Sequence, residues 1–195
     1  MGREYCTMRL GRHEQKVELC LERRIRKNGY AGFVSSKCFR EDVLIVVNDG
    51  FLEDQGIRVG YITAREDGTH PMVIMTSTAF TELKQGHLSV RFFLMHELGH
   101  YYHGHLAQPP KLEDVFSERE ASMNKGIVPK EELEADSFAA QYLGAENAIT
   151  ALQEAMEDRM AYDLMCGASA DPISKLALRE YQLRIDAVCS DSANI

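Results

Sequence analysis

Two histidines and a glutamate stand close together in His96-Glu97-Leu98-Gly99-His100, which has the pattern HExxH. On an α-helix, residues i and i+4 lie nearly one above the other, so His96 and His100 would place two imidazole rings on one face. Two rings on one face are close enough to share a metal ion. Glu97 would lie about 100° around the helix from His96, where it could hold a metal-bound water and take its proton.

The residues around this pattern predict the helix that it needs. Apolar residues recur at helical spacing and make the start of the helix apolar nearly all round, as a buried central helix requires; they are Leu88, Phe92, Phe93, Leu94, Met95 and Leu98. Gly99 is a poor helix former, so its place between the two histidines favours a close approach of another backbone or of a substrate. The alternative interpretation is a buried helix whose two histidines only satisfy backbone groups.

A catalytic zinc site needs a third protein ligand, and two schemes for it compete. In the first, a third histidine follows in the pattern HExxHxxGxxH, but Gly104 and His105 each stand one position away from the places that it requires. In the second, a glutamate comes from a later helix. The segment 131–140 offers Glu131, Glu132 and Glu134, which are neighbours that spacing alone does not separate. The alternative interpretation of these three residues is an acidic first turn that favours the helix dipole, and the two are compatible, since a ligand can also lie in the first turn.

The second scheme brings a resemblance with it. The run Glu132-Leu133-Glu134-Ala135-Asp136-Ser137-Phe138-Ala139 matches ExxA[DN]xFA, and this pattern follows HExxH in one group of gluzincin metallopeptidases. The chain thus resembles the ImmA/IrrE-type peptidases and the CAAX-prenyl-protease-like enzymes over about residues 43 to 150. ImmA/IrrE-type chains usually continue into a Met-Pro segment, whereas Gln141 to Asn147 follow here. The subfamily and the substrate therefore stay open.

The resemblance implies a complete site in a zincin-like α+β domain. Glu132 would be the third ligand of one zinc ion, and Asp136 would hydrogen-bond a ligand histidine. Small residues at Ala135 and Ala139 would let their helix lie close to the HExxH helix. In the family layout, an edge strand above the cleft binds an extended peptide; the residues predicted for it are Met72, Val73, Ile74, Met75 and Thr76.

The expected reaction is hydrolysis of a peptide bond in a protein substrate, with water activated by zinc and by Glu97. A second oxyanion donor is usual in such sites; the candidates are His103, His105, Tyr142 and Tyr162, each of which is more simply a surface or packing residue. His70 and His87 have the same simple interpretation. Two other function classes stay open: a metal-binding regulator that cleaves rarely or never, and a helical interaction module whose HExxH is accidental.

The rest of the chain predicts a single domain over residues 1–195, mostly helical, with a small sheet of about three strands before the HExxH helix. An amphipathic helix is predicted over residues 12–28, and the basic cluster from Arg23 to Lys27 would lie on its solvated face. Strands are predicted at 43–47, 57–64 and 72–76, the last two as a hairpin-like pair. Segment 111–129 is predicted to be a loop, and helices follow at 131–143, 145–161 and 172–188.

Composition narrows the function classes further. The 195 residues have a formal net charge of −8, which disfavours nucleic acid as a partner. No segment approaches the ~18 apolar residues of a membrane span, and the N-terminus lacks the apolar core of a signal peptide. Five cysteines, an odd number without a close pair, favour reduced thiols. We therefore expect a cytoplasmic protein whose partner is a peptide or protein, with a transcriptional repressor as one compatible substrate.

Overall fold

The structure, a computed structural model, describes residues 4–10, 16–24, 28–52, 59–63, 71–105, 125–169 and 171–192. These residues form an α+β fold, as the sequence predicts. The strands are β1 (Tyr5–Leu10), β2 (Val17–Glu22), β3 (Asn28–Ser36), β4 (Val43–Asn48), β5 (Val59–Thr63) and β6 (Met72–Met75). The helices are α1 (Asp49–Leu52), α2 (Ser77–Gln85), α3 (Leu88–His103), α4 (Lys130–Leu143), α5 (Ala145–Met165) and α6 (Pro172–Ser192).

The six strands form one mixed sheet in the order β1-β2-β3-β4-β6-β5. Each adjacent pair from β1 to β4 is antiparallel, β6 is parallel to β4, and β5 is antiparallel to β6. The predicted strands at 43–47, 57–64 and 72–76 are confirmed as β4, β5 and β6, including the antiparallel pairing of the last two, although residues 57, 58 and 64 lie outside the described residues and Thr76 is not in a strand. The prediction of about three strands is wrong, because β1, β2 and β3 extend the same sheet.

The predicted N-terminal helix over residues 12–28 is wrong where the structure describes it. Residues 17–22 form a strand in which Val17, Leu19 and Leu21 are fully buried. This alternation has the period of two that places every second side chain on the core face of a sheet. The charged residues pair across strands instead of along a helix, since Arg9 contacts Glu18 at 3.7 Å. Residues 11–15 and 25–27 lie outside the described residues.

Helix α3 is the element on which the helical layer is built. It packs against α2, α4 and α5 and against strands β5 and β6. Seven of its residues are buried, which explains its nearly uniform apolar start; they are Val90, Phe92, Leu94, Met95, His96, Leu98 and Gly99. Helices α4, α5 and α6 confirm the three predicted C-terminal helices, and Pro172 is the first residue of α6 as expected.

Helix α2 was not predicted, although two residues mark its ends. The Thr76 side chain caps it by accepting a hydrogen bond from the Ala79 amide at 3.1 Å, and Gly86 ends it in the left-handed conformation. Thr76 therefore belongs to a helix cap and not to the end of a strand. The predicted loop at 111–129 falls mainly on residues 106–124, which lie outside the described residues.

The prediction that residues 72–76 form a sheet edge is wrong. Strand β6 has β4 on one side and β5 on the other, so both rows of its backbone hydrogen-bonding groups face other strands. Met72, Val73 and Met75 are buried, Ile74 is half-buried, and Thr76 is used as a cap. The outer strands of the sheet are β1 and β5.

Within the described part of the chain, no helix is both long and apolar enough to cross a membrane. All five cysteines are free thiols.

Candidate metal centre

Gly99 sets the distance between the two helices that form the centre. A Cβ atom at Gly99 would lie 2.9 Å from the Ala135 Cα and 3.0 Å from the Ala135 carbonyl oxygen, both on α4. Only a glycine on α3 and a small residue on α4 permit backbones to approach so closely. The expectation that another backbone passes beside Gly99 is confirmed, and the close approach brings the first turn of α4 next to the two histidines.

The structure brings His96, His100 and Glu132 together as a possible metal-binding triad. One ligand atom from each lies within 4.8 Å of the other two. The two Nε2 atoms are 3.1 Å apart, His96 Nε2 is 3.4 Å from Glu132 Oε2, and His100 Nε2 is 3.9 Å from Glu132 Oε1. The spacing alternatives are thereby separated: Glu131 is exposed, and Glu134 bonds another residue.

These residues fit a zinc ion by their distances and by their chemistry. Four ligands placed tetrahedrally at about 2.0–2.1 Å from zinc lie ~3.3 Å from one another, close to the separations of the triad. Two imidazole nitrogens and a carboxylate oxygen form a donor set that zinc accepts in catalytic sites. Three lone-pair donors this close also repel one another unless a proton or a cation lies among them.

Asp136 lies one turn after Glu132 and holds the ring of His96 from the other side. The Nδ1 atom of His96 donates a hydrogen bond to Asp136 Oδ1 at 2.8 Å, in accordance with the expectation for this residue. The bond holds a proton on Nδ1, so Nε2 is the nitrogen that faces His100 and Glu132. Asp136 is 1% exposed, and its contact with His96 is therefore shielded from water.

Arg184, which no sequence motif indicated, reaches this group from α6. It makes two hydrogen bonds to Asp136, from Nε to Oδ2 at 2.7 Å and from Nη2 to Oδ1 at 2.6 Å. Burial works against the ionised carboxylate, but the guanidinium lowers the pKa of Asp136 below its ordinary value. Arg184 itself is buried, so the pair is closed off from solvent.

His105 contacts a residue of the triad, which the simpler interpretation of it as a surface or packing residue did not include. Its Nδ1 atom lies 3.0 Å from the Nδ1 of His100, and its Nε2 lies 3.0 Å from Glu134 Oε2. Glu134 in turn bonds the Lys130 ammonium at 2.9 Å. When the Nε2 of His100 serves as a ligand, its Nδ1 carries the proton and donates a hydrogen bond to the Nδ1 of His105. The Nε2–H group of His105 then donates a hydrogen bond to Glu134.

The remaining predicted side chains differ in their exposure and contacts. Glu97 is half-buried on α3, immediately after His96. The Tyr142 hydroxyl lies 3.4 Å from Cys38 Sγ, and Tyr162 is 54% exposed. Exposed His103 stacks on His105, and His87 precedes α3 without a side-chain cap bond. His70 lies outside the described residues.

Burial and charge shift the pKa values of the two histidines in opposite directions in the metal-free protein. Burial and Arg184 lower the pKa of His96, but Asp136 and Glu132 outweigh them and raise it to about 9. Burial and the neighbouring His96 lower the pKa of His100 to about 4. At neutral pH, His96 is therefore protonated and His100 is neutral.

Comparisons with protein-family models, with curated proteins and with solved structures found no match to this chain. The geometry and chemistry of the site are therefore the evidence on its function.

Proposed function

We propose that the protein is a zinc-dependent endopeptidase of the gluzincin type that hydrolyses peptide bonds in a protein substrate. One observation carries this proposal: the ligand atoms of His96, His100 and Glu132 converge from two helices, within 4.8 Å of one another. Glu97 stands inside the same HExxH turn. A site with only a structural role has no need of a carboxylate at that position.

His96, His100 and Glu132 would hold the zinc ion through two Nε2 atoms and a carboxylate. Bound there, zinc would lower the pKa of a water molecule towards about 7 and polarise the carbonyl group of the substrate. Asp136 keeps a proton of His96 on Nδ1, so that Nε2 is the nitrogen that would bind the metal once its own proton is displaced.

Glu97 would act as the general base and then as the general acid. It precedes His100 by three residues, and side chains at i and i+3 are neighbours on a helix surface. Its carboxylate would take a proton from the attacking water and return that proton to the leaving amine. Glu97 is half-buried, so part of its surface is exposed to solvent.

Strand β5 is the better candidate for the peptide-binding edge. It is the outer strand on its side of the sheet, and it packs beside α3, the helix that carries the two histidines and Glu97. An extended substrate could pair with the backbone of β5 and place its scissile bond over the triad. Val59–Thr63, and not residues 72–76, would therefore be the strand that pairs with an extended peptide substrate.

Hydrolysis of a quenched fluorescent peptide library by zinc-loaded proteins tests this function. Wild type should cleave members of the library, and Glu97→Gln should lose about 100-fold or more of the rate, which is the size of a general acid–base contribution. Glu97→Gln should keep its zinc, because it removes no ligand. Glu131→Gln, which changes an exposed glutamate beside the ligand Glu132, should retain both zinc and cleavage.

Two other results would assign a different function. Zinc in wild type and in Glu97→Gln, with no cleavage by either, would indicate a metal-binding regulator that recognises a partner without hydrolysing it. Wild-type protein without stoichiometric metal would indicate an interaction module in which the HExxH pattern is accidental.

A further inference from the structure

We infer that Arg184 is a positioning residue of the metal centre: it holds the Asp136 carboxylate in the orientation that receives the Nδ1 proton of His96. This inference rests on the proposed function, since it concerns the same ligands. It adds the C-terminal helix α6 to a site that the motifs place on α3 and α4 alone.

The hydrogen bonds leave the Asp136 carboxylate a single orientation. Its Oδ2 accepts a hydrogen bond from Nε of Arg184, and its Oδ1 accepts hydrogen bonds from Nη2 of Arg184 and from Nδ1 of His96. The Nη2 and Nδ1 atoms lie 3.2 Å apart because they share this acceptor. Rotation of the carboxylate would break both arginine bonds, and paired bonds of this kind between a guanidinium and a carboxylate are strong and directional.

Arg184 also lies close to two carboxylates besides that of Asp136. Its Nη1 atom lies 3.9 Å from Glu132 Oε2 and 3.8 Å from Glu180 Oε1. The guanidinium thus stands between Asp136, which orients a ligand, and Glu132, which is a ligand. A positive charge between two carboxylates offsets their mutual repulsion, so Arg184 helps to hold Asp136 and Glu132 close to the same histidine.

Stability alone explains this ion pair poorly. Arg184 occupies the buried stripe of α6 together with Ile185 and Val188, where an apolar side chain would pack at no desolvation cost. Replacing a buried ion pair by apolar residues is often neutral or stabilising. An arginine at this position is better explained by the carboxylate that it orients beside His96.

The experiment measures zinc affinity, by competition with a chromophoric chelator, for Arg184→Met in the wild-type and Asp136→Asn backgrounds. In the wild-type background the affinity should fall about 10- to 100-fold, the usual effect of losing a partner of a ligand. In the Asp136→Asn background the same change should add less than about twofold, because its effect passes through Asp136.

The absorption spectrum of the cobalt-substituted proteins gives a readout that loss of stability alone does not change. Arg184→Met should shift the visible bands of bound cobalt, because the ring of His96 is no longer held. The matched control is Arg159→Met, which removes another arginine bonded to a buried aspartate, with Nε 2.9 Å from Asp163 Oδ1. It should leave zinc affinity and the cobalt spectrum unchanged.

Three results would overturn the inference. One is an unchanged zinc affinity in folded Arg184→Met, and another is an equal loss in both backgrounds. If circular dichroism finds Arg184→Met unfolded, Arg184→Lys replaces it, since lysine keeps the charge but loses the paired bonds. The third result is then an unchanged zinc affinity together with an unchanged cobalt spectrum in Arg184→Lys. Failure of wild type to bind zinc would instead reject the proposed function, and this inference with it.

Discussion

His96 and His100 are the same residue type on the same helix, yet their surroundings give them different chemistry. His96 lies between two carboxylates, and its pKa is raised to about 9. His100 is buried beside His96, and its pKa is lowered to about 4. A metal ion that binds to both nitrogens at neutral pH must therefore displace a proton from His96 but none from His100.

This difference predicts how zinc affinity depends on pH. A group with a raised pKa holds its proton until the pH passes that pKa, so the competition weakens as the pH rises from 7 to about 9. The apparent affinity should rise about tenfold per pH unit over this range and then level off. Calorimetry in two buffers of different ionisation enthalpy should find about one proton released per zinc ion at pH 7.5. Affinity that is flat between pH 7 and 9 would contradict the proton assignment of His96.

The contact between His105 and His100 makes a second prediction. His105→Gln should weaken zinc binding by about tenfold, because the Nδ1 proton of His100 loses the acceptor that orients the ring. His103→Gln is the matched control, because it changes a neighbouring histidine that is exposed and only stacks on His105. It should have a smaller effect than His105→Gln. Chelator competition measures both variants. Equal effects, or none from His105→Gln, would return His105 to the role of a surface residue.

Short-range patterns found the candidate ligands, as well as Glu97 and Asp136, but not the roles of the more distant Arg184 and His105. His96, Glu97 and His100 lie within one helical turn, and Glu132 and Asp136 within one more, so two motifs describe them. Arg184 and His105 act through contacts that depend on how the helices pack. One signal for Arg184 exists in the sequence, because a charged residue in the apolar stripe that contains Ile185 and Val188 implies a buried partner.

At the scale of secondary structure, the crossing of α3 and α4 is the element that assembles the site. Gly99→Ala would put a methyl group 2.9 Å from the backbone of Ala135, so the helices must separate. We expect a loss of about 1–3 kcal/mol in the free energy of unfolding. Zinc affinity should fall as well, because Glu132 moves with α4.

Gly50→Ala is the control for this prediction. Gly50 lies in α1, where an added Cβ meets no atom of the described residues within 4 Å. Denaturant unfolding of the metal-free proteins should find this variant as stable as wild type or slightly more stable. A Gly99→Ala variant that matched Gly50→Ala in both stability and zinc affinity would contradict the close crossing.

The period of the apolar residues within a segment, and the elements that the segment contacts, explain which elements the sequence predicts. Helices α3 to α6 have long apolar patterns with clear ends, and β4 is a short β-branched run followed by a turn. Residues 17–22 are ambiguous, since Val17, Leu19 and Leu21 alternate while Cys20 and Ile25 also suit a helical face. The partners β1 and β3 decide in favour of a strand, and such partners are distant information that one segment does not contain.

At the scale of the whole molecule, a bound zinc ion would connect two parts of the fold. Its ligands come from α3, which packs on the sheet, and from α4, which packs against α5 and α6. Any ligand that binds only the folded state stabilises it, by about 2.7 kcal/mol at a free concentration 100 times its Kd. Thermal unfolding should therefore shift upwards with added zinc and downwards with a chelator.

Differential scanning fluorimetry of wild type and Glu132→Ala checks this coupling. The zinc-dependent shift should be present in wild type and largely lost in Glu132→Ala, which lacks the ligand from α4. A shift of equal size in both proteins would place the stabilising metal elsewhere in the chain.

Elemental mass spectrometry of purified wild type, Glu132→Ala and Glu131→Ala decides whether His96, His100 and Glu132 form a zinc site. The two variants remove neighbouring glutamates from the same helical turn, one that faces the histidines and one that is exposed. We predict one zinc ion per chain in wild type and in Glu131→Ala, and a loss of zinc in Glu132→Ala. Normal zinc content in Glu132→Ala would contradict the metal centre formed by His96, His100 and Glu132.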